Sequence, residues 1–101
     1  MLQVIALVRP IAAEIAKQDR DLASQLRRAL SSVALNVAEG FGSAKGHARV
    51  RFETARGSLY ETQAALRVAC AWGYVSAAVA AAALEATDGL GARLFGLTKT
   101  V

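Results

Sequence analysis

Hydrophobic and polar positions along the chain recur in steps of three and four, the period of helices that turn one side toward a core. From about Leu2 to Lys17, Ile5, Val8, Ala12 and Ile15 keep that spacing. Pro10 interrupts it: a proline lacks the amide donor and crowds the preceding turn, so the pattern predicts a kink there, or a helix that starts with Pro10 in its first turn. A second face, Leu22, Leu26, Ala29, Leu30, Val33 and Val37, runs over about five turns. Asp19 or Asp21 is placed to cap it. Gly40 is expected to stop it, because glycine enters the left-handed conformation without steric cost. The third helix is expected to start between Ser43 and His47, and its seam reads Phe52, Ala55, Leu59, Thr62, Leu66, Ala69 and Gly73. Gly73 and Tyr74 predict a turn, Ser76 an N-cap, and Val79, Ala83, Leu90, Leu94 and Leu97 the buried side of a fourth helix.

Four amphipathic segments joined by short connections predict an all-α, antiparallel up-down-up-down four-helix bundle in one domain, residues 1–101. Composition agrees: 54% of residues are hydrophobic, alanine dominates, and there is a single proline, which favours helix over strand. A domain this small has a modest core, near the size at which oligomerisation often adds stability.

Charge adds a direction. The net charge is +4, yet residues 1–19 and 68–101 are each balanced, so the whole excess lies between Arg20 and Arg67. That concentration points to an anionic partner such as RNA or DNA, or else to a basic surface that only confers solubility. Cys70 is the only cysteine, which excludes an intrachain disulfide and makes a cytoplasmic location the expectation. The N-terminal stretch has no basic residues ahead of its apolar run and reads poorly as a secretory signal. The longest uncharged run, Val68 to Leu84, is shorter than the about 20 residues a membrane span needs, so no membrane association is expected.

Candidate chemistry concentrates in two places. Along the second helix, Gln25, Arg28, Ser32, Asn36 and Glu39 form a polar stripe, and Glu53, Gly57, Glu61 and Ala64 follow a similar spacing on the third. An antiparallel hairpin sets Arg28 near Glu61 and Asn36 near Gly57, giving a network of Arg28, Ser32, Asn36, Glu39, Gly57 and Glu61 that fixes register or a subunit interface. Gly57 costs up to about 1 kcal/mol against alanine in mid-helix, which predicts a contact too close for a side chain. The other place is the turn that follows, where Lys45, His47, Arg49 and Arg51 gather at a helix start. Free amides and the helix dipole favour a phosphate there, and Arg20, Arg27 and Arg56 extend the basic surface. No metal or cofactor is expected: His47 is the sole histidine, and no histidine–carboxylate or cysteine pair has ligand spacing. A serine nucleophile would need His47 as its base, some three turns from Ser58. Phe41, Trp72 and Tyr74 are expected to pack over the two ends of the core.

The ordered set Gln25-Leu26-Arg27-Arg28-Ala29, Ser32, Asn36, Ala38-Glu39-Gly40, Arg51-Phe52, Ala55, Gly57-Ser58, Glu61 and Gly73-Tyr74 resembles the bacterial four helix bundle protein family. Its founding members are encoded in intervening sequences of 23S ribosomal RNA genes. The resemblance covers about half the chain. It implies an antiparallel bundle assembled as a ring-like homo-oligomer, commonly a pentamer, and kinship with the basic accessory protein of diversity-generating retroelements, which binds reverse transcriptase and nucleic acid. It implies no enzymatic activity, and an architectural role for Asn36, Glu39, Gly40, Gly57 and Ser58.

Residues and resemblance together lead to a non-catalytic oligomer that binds RNA or DNA phosphates through Lys45, Arg49 and Arg51, with Arg20 and Arg27. The competing reading is an adaptor whose apolar face on the first and fourth helices docks on a protein partner such as a reverse transcriptase. A third, an enzyme holding a divalent metal between Glu39, Glu53 and Glu61, is the least favoured.

Overall fold

A computed structural model describes residues 1–101 and contains four helices: α1 (Leu2–Ala16), α2 (Arg20–Phe41), α3 (Lys45–Ala71) and α4 (Ala77–Thr100). The connections between them are too short to travel the length of a helix, so each helix folds back along the one before it. α2 packs on α1 and α3, and α4 closes the circuit against α3 and α1, inside an envelope of 42 × 21 × 19 Å. This is the all-α four-helix bundle that the periodicity predicts.

The predicted seam of α3 is buried at Phe52, Ala55, Leu59, Thr62, Leu66 and Ala69. On α2 the face from Leu22 to Val33 is buried, with Val37 half-buried. α1 buries Val4, Val8, Ile11, Ala12 and Ile15 and continues through Pro10 without a break. Pro10 and Ala6, whose carbonyl loses its helical partner, are both exposed, so water can satisfy that group. α4 differs more from its pattern: Ala83, Leu90 and Leu94 are buried, but Val79 is exposed and the face continues through Ala80, Thr87 and Thr98. Threonine is tolerated there because each buried hydroxyl donates to its own helix, Thr62 Oγ1 to the Ser58 carbonyl, Thr87 Oγ1 to Leu84 and Thr98 Oγ1 to Phe95. The core joins six large apolar side chains, Phe52, Ile15, Leu26, Leu59, Leu66 and Leu94, to many alanines. Each large one contributes about 1.5–3 kcal/mol by leaving water, and the alanines let the helices approach closely.

The ends are set by three different devices. Asp19 caps α2, its side chain accepting from the Leu22 amide at 2.9 Å, and Ser76 caps α4 by accepting from Val79. At the end of α3, Gly73 takes φ 79°. The Tyr74 amide then reaches the Ala69 carbonyl and the Gly73 amide that of Cys70, the paired bonds of a glycine-terminated helix. α2 corrects the expectation for Gly40, which is helical. The stop comes two residues later, where the Gly42 amide bonds back to Ala38 and Glu39 and the Ser43 hydroxyl donates to the Glu39 carbonyl at 2.6 Å. Gly40 is glycine for a different reason: a Cβ there would overlap the Phe52 ring. Phe41 meets that ring edge-on, centroids 5.3 Å apart.

Candidate nucleic-acid interface

The α2–α3 hairpin brings the polar stripe and part of the basic surface onto one face. Ser32 Oγ and Ser58 Oγ lie 2.8 Å apart across the two helices. Asn36 Nδ2 donates to the Ser32 carbonyl at 2.9 Å and to Ser32 Oγ at 3.1 Å. Arg28 and Glu61 line the same open groove of about 770 Å³ without forming an ion pair. Glu39 turns instead to Arg51, Oε2 to Nε 3.1 Å. Gly57 faces open space, with nothing within 4 Å of a Cβ built on it, so no close contact within the chain requires glycine there.

The five cations predicted to bind phosphate separate. Arg27 and Arg51 line one groove of about 480 Å³, joined by Arg28, Ser31, Asn36 and Glu39. Lys45 is the first residue of α3, which lacks a side-chain N-cap. Arg49 lies along α3, paired to Glu53 one turn on, Nε to Oε1 3.2 Å. Arg20 opens α2, about 30 Å of helical rise from the basic turn. The groove therefore gathers Arg27, Arg28 and Arg51 with one carboxylate, and Arg28 lines both it and the groove that holds Glu61. Arg27 also borders a smaller recess of about 250 Å³ that Arg9 of α1 enters.

These ion pairs are about half exposed on both sides, and such pairs contribute only about 0–1 kcal/mol. A phosphate can therefore take an arginine from its carboxylate at little cost, gaining charge-assisted hydrogen bonds. Glu39, Glu53 and Glu61 do not converge, and no three acidic, histidine or cysteine side chains do.

Two features lie outside the predicted site. Gln63, on α3 beside the seam, is buried and donates to Thr87 Oγ1 at 3.1 Å and Asp88 Oδ1 at 2.8 Å, pinning α3 to α4. On the same pair of helices, Phe95 collects Arg56 and Lys99 over its ring. The sequence did carry a signal for that cluster, the four-residue steps Arg56–Tyr60 and Phe95–Lys99. At the opposite end, Trp72 is 71% exposed rather than packed over the core. It stacks beside Tyr74, centroids 6.5 Å apart. Burial pushes the Tyr74 hydroxyl above its ordinary pKa, and the neighbouring Asp19 carboxylate adds to the effect.

Four helices in sequential antiparallel contact, a hairpin face with an arginine-lined groove and no convergent metal ligands define a small all-α bundle with a basic face. The chain belongs to the 23S rRNA-intervening sequence protein family, whose model matches residues 2–96. That match reaches into all four helices, beyond the two that carry the motif. No curated protein and no solved structure matches the chain. No helix is long and apolar enough to cross a membrane.

Proposed function

We propose that this chain is a non-catalytic, cytoplasmic oligomer that binds RNA or DNA through phosphate contacts on the α2–α3 face. The observation that carries the reading is the groove where Arg27, Arg28 and Arg51 meet with Glu39 as the single carboxylate. Lys45, at the uncapped start of α3, stands outside that groove and supplies a further phosphate contact. Phosphate contacts release counterions, so affinity for mixed RNA is expected to fall steeply as salt rises. Charge reversal of Arg49 and Arg51 weakens binding to many sequences alike, and reversal of Arg20, set apart at the start of α2, has a smaller effect. Fluorescence anisotropy at 50 and 200 mM salt checks this, and salt-independent binding or none overturns it. A homo-oligomer, with a pentamer as the form the family resemblance implies, would set several such grooves around one assembly and raise weak contacts to useful affinity.

The adaptor reading draws on the apolar side chains that α1 and α4 leave exposed, Leu2, Leu7, Val79 and Phe95. A reverse transcriptase or similar partner would cover them, and co-purification with such an enzyme at high salt, where phosphate contacts are screened, separates this reading from the first.

A further inference from the structure

The α3–α4 face holds a second cationic site, built on different chemistry from the α2–α3 groove. Phe95 of α4 is 45% exposed. Lys99, one turn on, brings Nζ to 4.4 Å from the ring centroid, and Arg56 of α3 brings Cζ to 4.8 Å. Arg56 is further held by Tyr60, Nη2 donating to the phenolic oxygen at 3.3 Å. The ion pairs of the chain are Glu14–Lys17, Arg49–Glu53 and Arg51–Glu39, so both cations at Phe95 lack a carboxylate partner. Two like charges converge on one aromatic ring, and an exposed cation–π contact contributes little. An anion is what would settle them.

A groove of about 330 Å³ continues from this point, a size at the lower end of ligand sites. It runs between Tyr60 and Phe95 over Gly91 and Ala92 to Gln63 and Asp88. Its floor is low because of Gly91, where a Cβ would come to 3.3 Å from Leu59 Cδ2. At the far end the Gln63 amide donates to Asp88 Oδ1 and Thr87 Oγ1. The Asp88 Oδ2 and the Gln63 carbonyl oxygen are left as acceptors. Aromatic walls, paired cations at one end and acceptors at the other match a nucleobase with its phosphate: bases stack on aromatic rings and guanidinium planes, and a carboxylate accepts from an exocyclic amine.

We propose that the α3–α4 groove is a base-and-phosphate subsite for single-stranded nucleic acid. The base stacks on the Arg56 guanidinium plane, which Phe95 and Tyr60 hold in place, with its amine at Asp88, and the phosphate is held by Lys99 beside it. This rests on the reading of the chain as a nucleic-acid binder and adds that it reads bases as well as phosphates. Acceptors at the groove end favour adenine and cytosine, which carry exocyclic amines, over uracil.

The test is anisotropy with labelled octamers of C, A and U and an abasic octamer, on the full chain and on Phe95→Leu, Lys99→Gln and the double variant Arg27→Ala/Arg51→Ala. Phe95→Leu keeps an apolar side chain on a half-exposed surface, and Lys99→Gln changes an exposed one. Both variants are expected to weaken C and A octamers, Phe95→Leu by about fivefold or more, the low end for one stacked base. Phe95→Leu leaves the salt slope and the abasic octamer unchanged. The double arginine variant weakens all four and lowers the slope. If Phe95→Leu and Lys99→Gln bind every octamer as the parent does while the arginine variant loses them, the subsite is overturned and the phosphate reading stands. If the parent binds no octamer at low salt, both fall. If cytidine monophosphate alone binds as tightly as the C octamer and in a Phe95-dependent way, the groove takes a free nucleotide, and the assignment to a strand is overturned.

Discussion

Gly40 and Gly57 stand inside long helices, where each carries a backbone cost of about 0.5–1 kcal/mol against alanine, and their surroundings are opposite. A Cβ on Gly40 would overlap the Phe52 ring, whereas one on Gly57 meets nothing within 4 Å. Gly40→Ala is therefore expected to destabilise the bundle by about 1–3 kcal/mol, the usual cost of overpacking, despite the better helix propensity. Gly57→Ala is expected to stabilise an isolated chain by about 0.5–1 kcal/mol. Urea unfolding of both variants checks the pair, and a Gly40→Ala chain as stable as the parent would show that Phe52 yields. Neither role could be read from the sequence. A glycine near a helix end reads as a left-handed stop, and one in mid-helix as a close contact. The position of the Phe52 ring, set by α3 crossing α2, makes Gly40 the close contact, and Gly57, helical with open space around it, is neither.

At the scale of elements, the connections do more than turn the chain. Asp19 closes the α1–α2 connection as the cap of α2, and its carboxylate also faces Tyr74 in the α3–α4 connection, so one side chain ties two connections at the same end of the bundle. Tyr74 has its pKa raised above 10.0 by burial first and by Asp19 second. A group whose pKa is higher folded than unfolded favours the folded state while it is protonated. Its contribution is complete below about pH 10 and is lost as pH rises through the raised folded value. Wild type should accordingly lose stability faster than Tyr74→Phe as pH is raised from below about 10 to above it. Urea melts across that range decide it, and parallel curves would mean that Asp19 and burial leave the hydroxyl unaffected. The periodicity made the elements themselves legible: the α3 seam from Phe52 to Ala69 and the caps at Asp19 and Ser76 follow from spacing and side-chain chemistry alone. The α4 face was less so, because alanine-rich sequence marks no side. Thr87 and Thr98, polar by type, are buried there by bonding to their own helix.

For the whole molecule the informative mismatch is one of length. At about 1.5 Å per residue α1 reaches little over 20 Å while α3 reaches about 40 Å, so the α2–α3 turn extends beyond the cover α1 provides. Leu35, Phe41 and Val50, all more than half exposed, lie on that extension or beside the arginine groove. The candidate site was partly legible for the same reason that it was partly dispersed. A run such as Lys45 to Arg51 is dense in sequence, but a helix turns successive residues by about 100°, which sends Arg49 to Glu53 and Arg51 to Glu39. The cations that do meet, Arg27, Arg28 and Arg51, come from two helices. Exposed apolar side chains beside a polar stripe suit a surface shared between copies of the chain. Light scattering coupled to size exclusion is then expected to return a defined multiple of 10.6 kDa, and Val50→Glu, outside the arginine groove, to lower that mass while far-UV helicity stays unchanged. Assembly and RNA affinity should also fall together, because each groove alone makes few phosphate contacts and linked grooves bind by effective concentration. A stable monomer that still binds RNA tightly at low salt would overturn the assembly and leave the groove of one chain to carry the affinity. If Val50→Glu lowers the mass and RNA affinity does not fall, assembly and RNA binding use separate surfaces and the avidity argument is overturned.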